Sequence, residues 1–137
     1  MADAHPRMAL GTMHFGTRLP TAQSREILDA YLDLGGVWID TANCYAFWGS
    51  ETGLGGQSEN VIGQWLADRG ARDQVRLSTK AGAEPTRPHG FPDAVEGLGK
   101  DTVNRAIRDS LQRLQTESVD LYWAHMEDRE QPVSDVA

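Results

Sequence analysis

The chain has little cysteine, no long apolar run and a shortage of positive charge, and each shortage excludes a class of protein. Its single cysteine, Cys44, cannot form an internal disulfide. A disulfide-stapled secreted domain is therefore excluded, and a reducing cytoplasm is the expected location. No stretch approaches the ~20 apolar residues that a membrane span needs. Residues 1–7 lack the apolar run of a signal peptide.

Acidic residues outnumber basic ones. The 137 residues include 13 Lys and Arg against 20 Asp and Glu, a formal net charge of −7. Such a surface repels polyanions, so we expect neither nucleic acid nor a membrane as a partner. The 39% of hydrophobic residues suffice for a compact core, and we predict a single domain over residues 1–137.

Four short β-prone runs alternate with three amphipathic helical patterns. The runs cover residues 8–12, 37–41, 75–80 and 119–125. Thr21, Ser58 and Asp101 are the predicted helix N-caps, and the glycines at 35–36 and at 70 are predicted to end the first two helices. Apolar residues at helical spacing predict the buried faces, which are Ile27, Leu28, Tyr31 and Leu32, then Val61, Ile62, Trp65 and Leu66, then Val103, Ile107, Leu111 and Leu114.

This alternation predicts right-handed βαβ units and a parallel sheet covered by helices. Two long loops, residues 44–57 and 81–99, follow the carboxyl ends of the second and third strands. Parallel α/β proteins place their chemistry at that edge. The sequence therefore predicts an α/β fold that is the first half of a (β/α)8 TIM barrel, with the chain interrupted after the fourth strand.

Side-chain alternation selects the polar residues of this edge. If the aliphatic residues face the helices, Asp40 and Lys80 point inward at the carboxyl ends of adjacent strands, and His125 ends the fourth run at the same edge. Tyr45 can reach them from the first long loop. A nearby ammonium favours the phenolate, so Lys80 would make Tyr45 a better proton donor. Asp40 would hold Lys80 in place, while His125 would orient a substrate oxygen.

Other interpretations remain open for several residues. Asp40, Lys80 and His125, taken one at a time, are more readily explained as ion-paired or hydrogen-bonded strand ends. Cys44 is interpreted as a packing residue, residues 49–56 as a flexible loop, and no metal site is expected. Among the aromatic residues, Trp65 is predicted to lie in the core, whereas Phe47, Trp48 and Trp123 are open between an apolar pocket and the core.

These segments together resemble the aldo/keto reductase family. Residues 36–45, with the sequence GVWIDTANCY, and residues 58–63, SENVIG, are similar to the signature around the Asp and Tyr of the family's catalytic tetrad. Residues 77–80, LSTK, resemble the strand with the tetrad Lys, and residues 119–125, VDLYWAH, the strand with the tetrad His. Residues 11–13 resemble the Gly-Thr-X of the first strand. The resemblance covers nearly the whole chain.

The resemblance implies hydride transfer from a nicotinamide cofactor to an aldehyde or ketone. The cofactor would be NADP(H), with NAD(H) as the alternative, and Gly11, Thr12, Met13 and Asp40 would contact it. His125 and Trp48 would bind the carbonyl substrate. The family's phosphate contacts lie mainly on later strands.

Two alternatives stay open. In these alternatives to an active reductase, the chain is a truncated product or a regulatory, non-catalytic homologue. A half barrel would also present two unpaired sheet edges, so we expect residues 1–137 alone to be inactive and to self-associate.

Overall fold

Four parallel strands in chain order form the sheet of the computed structural model, which describes residues 8–136. The strands are β1 (Ala9–Gly11), β2 (Trp38–Asp40), β3 (Arg76–Ala81) and β4 (Leu121–Ala124). The helices are α1 (Thr21–Asp33), α2 (Gln57–Arg69), α3 (Lys100–Leu114) and the short α4 (Val133–Val136). The predicted alternation of strands and helices is confirmed. The opening, residues 1–7, for which no signal peptide is expected, lies outside the described residues.

The predicted faces of the central strands are also confirmed. Ile39 of β2 pairs with Leu77 of β3, and both side chains are fully buried against the helices. The next register position pairs Asp40 with Ser78. Because neighbouring side chains of a strand point to opposite faces, Asp40 and Ser78 lie on the other face of the sheet. That face would be the interior of a closed barrel.

One apolar cluster between the sheet and the helices forms the core. It contains Phe15, Leu28, Ile39, Val61, Ile62, Trp65, Leu66, Ala71, Val75, Leu77 and Leu114. The predicted inner face of α2 and the core position of Trp65 are thereby confirmed; in α1 Leu28 is fully buried, and the half-buried Ile27, Tyr31 and Leu32 pack against the cluster. The face predicted for α3 is only partly right, since Val103, Ile107 and Leu111 are half-buried.

The stripe of α3 that is fully buried consists of Ala106, Ser110 and Leu114. Small residues predominate there because α3 lies very close to α2. A β-carbon added at Gly63 of α2 would collide with the carbonyl oxygen of Arg113. Hydrophobic spacing alone selects the larger apolar residues, and it therefore misplaces the contact face of α3.

All three predicted N-caps are wrong by one or two residues. The N-cap positions are Pro20, Gly56 and Gly99, and none of them makes a side-chain capping bond. Ser58 instead lies inside the first turn of α2, fully buried, and its hydroxyl donates to the Thr12 carbonyl. The predicted helix ends are confirmed, because Gly70 is the left-handed C-cap of α2 and Gly35 follows α1 with φ +83°.

β4 is one of the two edge strands of the sheet in the described part of the chain, and β1 is the other. Trp123 of β4 is 50% exposed, so a core position for this residue is wrong, and its indole N–H donates to Ser78 on the inner face. Leu121 of the same strand is 38% exposed. None of the helices within residues 8–136 combines the length and the apolar run that crossing a bilayer requires.

Candidate active site

Four side chains meet at the carboxyl edge of the sheet, as predicted. Asp40 is the last residue of β2, Lys80 is the penultimate residue of β3, and His125 directly follows β4. Tyr45 lies on the loop after β2, where its ring packs edge-on against His125 with the ring centroids 5.6 Å apart. The order of the strands thus brings together residues that are up to 85 positions apart in the chain, from 40 to 125.

The Lys80 ammonium is the centre of the group. It donates to Asp40 Oδ2 at 2.7 Å, to the Thr41 carbonyl at 2.6 Å and to Tyr45 Oη at 2.9 Å. An ammonium has three N–H donors, and all three are used. Nζ also lies 4.4 Å from the centroid of the Tyr45 ring. Lys80 is therefore held in one position, charged and in contact with the phenol.

Asp40 is oriented by a second chain of hydrogen bonds. Its Oδ1 accepts from the Ser78 hydroxyl at 2.8 Å, and that hydroxyl oxygen accepts from Trp123 Nε1 at 3.0 Å. Both carboxylate oxygens are thus bonded to groups on β3. Ser78 has no role in the sequence-based prediction, because serine in a strand carries no motif of its own.

The Tyr45 hydroxyl has its own proton available. Lys80 has no lone pair to offer, so it can only donate, and Tyr45 Oη is the acceptor of that bond. The phenolic O–H is consequently directed away from Lys80. A positioned hydroxyl of this kind can donate to an oxygen atom of a bound molecule while the adjacent ammonium stabilises the negative charge left behind.

The surroundings of His125 favour its neutral form. Burial, and then the charge of Lys80, lower the pKa of His125 below its usual 6.5, while Asp40 opposes the shift. Its backbone N–H donates to the Ala81 carbonyl at 2.8 Å, which continues the β3–β4 pairing past the end of β4. A neutral imidazole carries one proton, and it can donate from only one of its two nitrogens.

Three of the residues predicted to contact a cofactor lie at, or directly after, the carboxyl end of β1. Gly11 ends β1 beside Asp40, and a β-carbon added there would meet nothing within 4 Å. Met13 is 45% exposed. Thr12, in contrast, is fully buried, and its hydroxyl donates to the Asp40 carbonyl. Its backbone N–H also donates to the Asp40 carbonyl, and its own carbonyl accepts from Phe15 and Ser58, so Thr12 supports Asp40 from inside the protein and Gly11 and Met13 are the exposed residues of this group.

Trp48 belongs to an aromatic cluster that draws on three segments. Its ring packs edge-on against His14 at 6.2 Å and against Phe47 at 4.9 Å. Phe47 in turn packs against Phe91 at 5.2 Å. Trp48 is 41% exposed, which agrees with a pocket wall and not with the core. The part of His14 and Phe91 in this cluster was not predicted from the sequence, because they come from loops distant in the chain.

Two glutamates join the long loops behind the site. Glu96 Oε1 accepts from Asn43 Nδ2 at 2.6 Å and from the Gly82 N–H at 2.8 Å. Glu84 Oε1 accepts from the Gly55 N–H at 2.8 Å. Burial, with a contribution from Glu96, raises the pKa of Glu84 to about 7. These acids fasten the Tyr45 loop to the loop after β3, a function that their position in Pro- and Gly-rich segments does not reveal.

Cys44 is a buried thiol. It is 3% exposed, and burial raises its pKa to about 12. The sulfur is therefore protonated at neutral pH and is unsuited to nucleophilic attack, which agrees with the predicted packing role. Within residues 8–136, three or more His, Cys, Asp or Glu side chains nowhere form a group that could hold a metal ion.

Comparison with known proteins identifies the class of protein. The model of the aldo/keto reductase family matches residues 7–137. The oxidoreductase YrpG of Bacillus subtilis, itself uncharacterized, is 37% identical over 131 residues, which are 95% of this chain and 39% of the relative. Norsolorinic acid reductase of Aspergillus flavus is 34% identical over 94% of this chain and 34% of its own length.

Solved structures agree with this assignment. The holo form of an aldo-keto reductase from Bacillus halodurans has a TM-score of 0.74 and 30% identity, over 94% of this chain and 39% of its own. An aldo-keto reductase from Klebsiella pneumoniae in complex with NADPH has a TM-score of 0.72 and 32% identity, over 93% of this chain and 37% of its own. The chain belongs to the aldo/keto reductase family, and its fold is the first half of a (β/α)8 barrel.

Proposed function

We propose that the whole protein carrying this chain reduces an aldehyde or ketone to an alcohol, with NADP(H), or alternatively NAD(H), as hydride donor. The observation that carries the proposal is the Lys80–Tyr45 contact of 2.9 Å, which leaves the phenolic proton free beside an ammonium. Family membership and the NADPH-bound relative from Klebsiella pneumoniae support the choice of a nicotinamide cofactor.

The residues of the edge have separate roles in this reaction. The substrate's carbonyl oxygen accepts hydrogen bonds from Tyr45 Oη and from His125, which polarises the carbonyl and orients it. The bound cofactor supplies the hydride to the carbonyl carbon. The carbonyl oxygen takes the Tyr45 proton to become the alcohol hydroxyl, and the phenolate recovers a proton from solvent. Lys80 stabilises that phenolate, and Asp40 keeps Lys80 charged.

The residues around the carboxyl end of β1 suit a nicotinamide ring. Gly11 leaves open space at the end of β1, adjacent to the carboxylate of Asp40. Gly11, Met13 and Asp40 would contact the nicotinamide, and the buried Thr12 would support them through its hydrogen bond to the Asp40 carbonyl. Trp48 would form one apolar wall for the carbonyl substrate, since its ring is fixed by Phe47 and His14 yet remains 41% exposed.

Replacement of Tyr45 with Phe tests the proposal. In the whole protein, carbonyl-dependent NADPH oxidation should fall at least ~100-fold, the range typical of a lost general acid, while the dissociation constant of NADPH stays nearly unchanged. Tyr122→Phe is the matched control, because the buried Tyr122 hydroxyl has no hydrogen-bond partner among residues 8–136. Near-normal turnover by Tyr45→Phe would refute the assignment of the proton donor. A wild-type protein that binds NADPH without turnover would instead support the non-catalytic alternative.

Residues 1–137 by themselves are expected to self-associate and to lack activity. In the described residues β1 and β4 each have one neighbouring strand, so each has an unpaired edge. Trp123 and Leu121 are exposed at the β4 edge. Light scattering on the purified chain should report a dimer or larger species, and a stable monomer that reduces an aldehyde would contradict the expectation. Location in the cytoplasm also stays a prediction.

A further inference from the structure

Cys44 contacts the Nδ1 edge of the His125 ring. Its Sγ lies 3.4 Å from His125 Nδ1, a hydrogen-bonding distance for sulfur. The two residues come from different loops, 81 positions apart in the chain. The Tyr45 ring packs against the same imidazole, and the charges of Lys80 and Asp40 act on it. Cys44 and Tyr45 therefore both contact the His125 ring.

The direction of this hydrogen bond follows from the protonation of both groups. Burial keeps Cys44 as a thiol with a pKa of about 12, and the lowered pKa of His125 favours its neutral form. A thiol sulfur is only a weak hydrogen-bond acceptor, whereas a neutral imidazole has one nitrogen with a free lone pair. The unshared Nδ1 of a neutral imidazole is the acceptor left for the S–H proton.

We infer that Cys44 is a positioning residue, whose thiol donates to His125 Nδ1 and so keeps the imidazole proton on Nε2. This inference deepens the proposed function and rests on it in one respect, namely that Nε2–H is the bond offered to the carbonyl oxygen. The opposite tautomer would present a lone pair to that oxygen and repel it. The thiol thus selects the form of His125 that can orient a carbonyl.

Nuclear magnetic resonance on the ¹⁵N-labelled whole protein measures the tautomer directly. Long-range proton–nitrogen correlations of the imidazole rings, with His125 assigned by comparison with His125→Gln, report which nitrogen carries the proton. We expect wild-type His125 to be protonated on Nε2 at pH 7. A wild-type spectrum with the proton on Nδ1 would overturn the inference without any variant.

Two substitutions separate hydrogen bonding from packing. Cys44→Val exceeds cysteine by one methyl group and has no donor, so the ratio of Nε2–H to Nδ1–H should fall roughly two- to ten-fold, the value of one ordinary hydrogen bond. The pKa of His125 should also rise by roughly half a unit, because the neutral form loses a stabilising bond. Cys44→Ser retains a hydroxyl donor and should keep the wild-type tautomer.

The tautomers measured in the valine and serine variants either support or contradict the inference. A shift in the valine variant that serine restores supports the inference. An unchanged tautomer in the valine variant, or equal shifts in both variants, contradicts it, because packing and not donation would then control His125. The measurement needs no turnover. Wild-type His125 in the expected tautomer, in a whole protein that reduces no carbonyl, would therefore refute the proposed function and leave this inference intact.

Discussion

Removing Arg113 should destabilise the protein more than removing its ion-pair partner. The Glu59 carboxylate is fully buried, and it accepts from Arg113 Nε at 2.7 Å and from Thr79 Oγ1 at 2.6 Å. Arg113→Met keeps much of the apolar stem and leaves the buried charge without its cation. Breaking a buried pair in this way costs about 3–5 kcal/mol, a large part of the ~5–15 kcal/mol stability of a typical domain.

Glu59→Gln should cost less, about 1–2 kcal/mol. It removes the buried charge and keeps an amide oxygen that can accept from Thr79. The Arg113 side chain left behind is 27% exposed, so water can solvate it. Both variants remove the same ion pair. The difference between their losses of unfolding free energy therefore measures the cost of burying the unpaired carboxylate.

Urea unfolding at pH 7, followed by circular dichroism, gives both free energies, provided that the m-value stays constant. Arg69→Met is the control, because Arg69 pairs with Asp29 and Asp33 at the surface, where all three side chains are at least 36% exposed. It should cost less than about 1 kcal/mol. Equal losses for Arg113→Met and Glu59→Gln, or a greater loss for Glu59→Gln, would refute the reasoning.

Three further predictions concern packing, pH and the Lys80 charge. Gly63→Ala should lower the free energy of unfolding by about 3 kcal/mol in the same assay, because the new β-carbon meets the Arg113 carbonyl. Gly11→Ala is the control, since its β-carbon enters open space. Equal stabilities of the two variants would contradict the close approach of α2 and α3. The pKa of Glu84 is about 7 in the folded chain against 4.5 ordinarily, so the folded state binds the proton more tightly and loses stability as pH rises from 4.5 to about 7. Glu84→Gln should therefore be more stable than wild type by about 1 kcal/mol at pH 8 and show no such gain at pH 4, and a difference independent of pH would count against the shift. Lys80→Met in the whole protein should lower turnover at least ~100-fold and alter the pH profile of alcohol oxidation, since the phenolate loses its ammonium; an unchanged profile would make Lys80 only the structural partner of Asp40.

The alternation of residue types along each strand was sufficient to predict the fold and the convergence of four side chains. Ile39 and Leu77 are apolar, and burying them leaves Asp40 and Lys80 no alternative but the inner face. Because parallel strands in chain order have their carboxyl ends at one edge, His125 and the Tyr45 loop must lie nearby. These are local rules applied strand by strand, and no knowledge of contacts between distant segments was needed.

The partners of those side chains depended on the tertiary structure. Ser58 has the residue type and position of an N-cap, yet its hydroxyl is used in a buried contact with Thr12, because α2 packs against the loop after β1. The ion pair of Glu59 with Arg113 and the contact of Cys44 with His125 join segments more than 50 residues apart. A single sequence carries no periodic signal for such pairs, since each depends on how two loops or helices pack together.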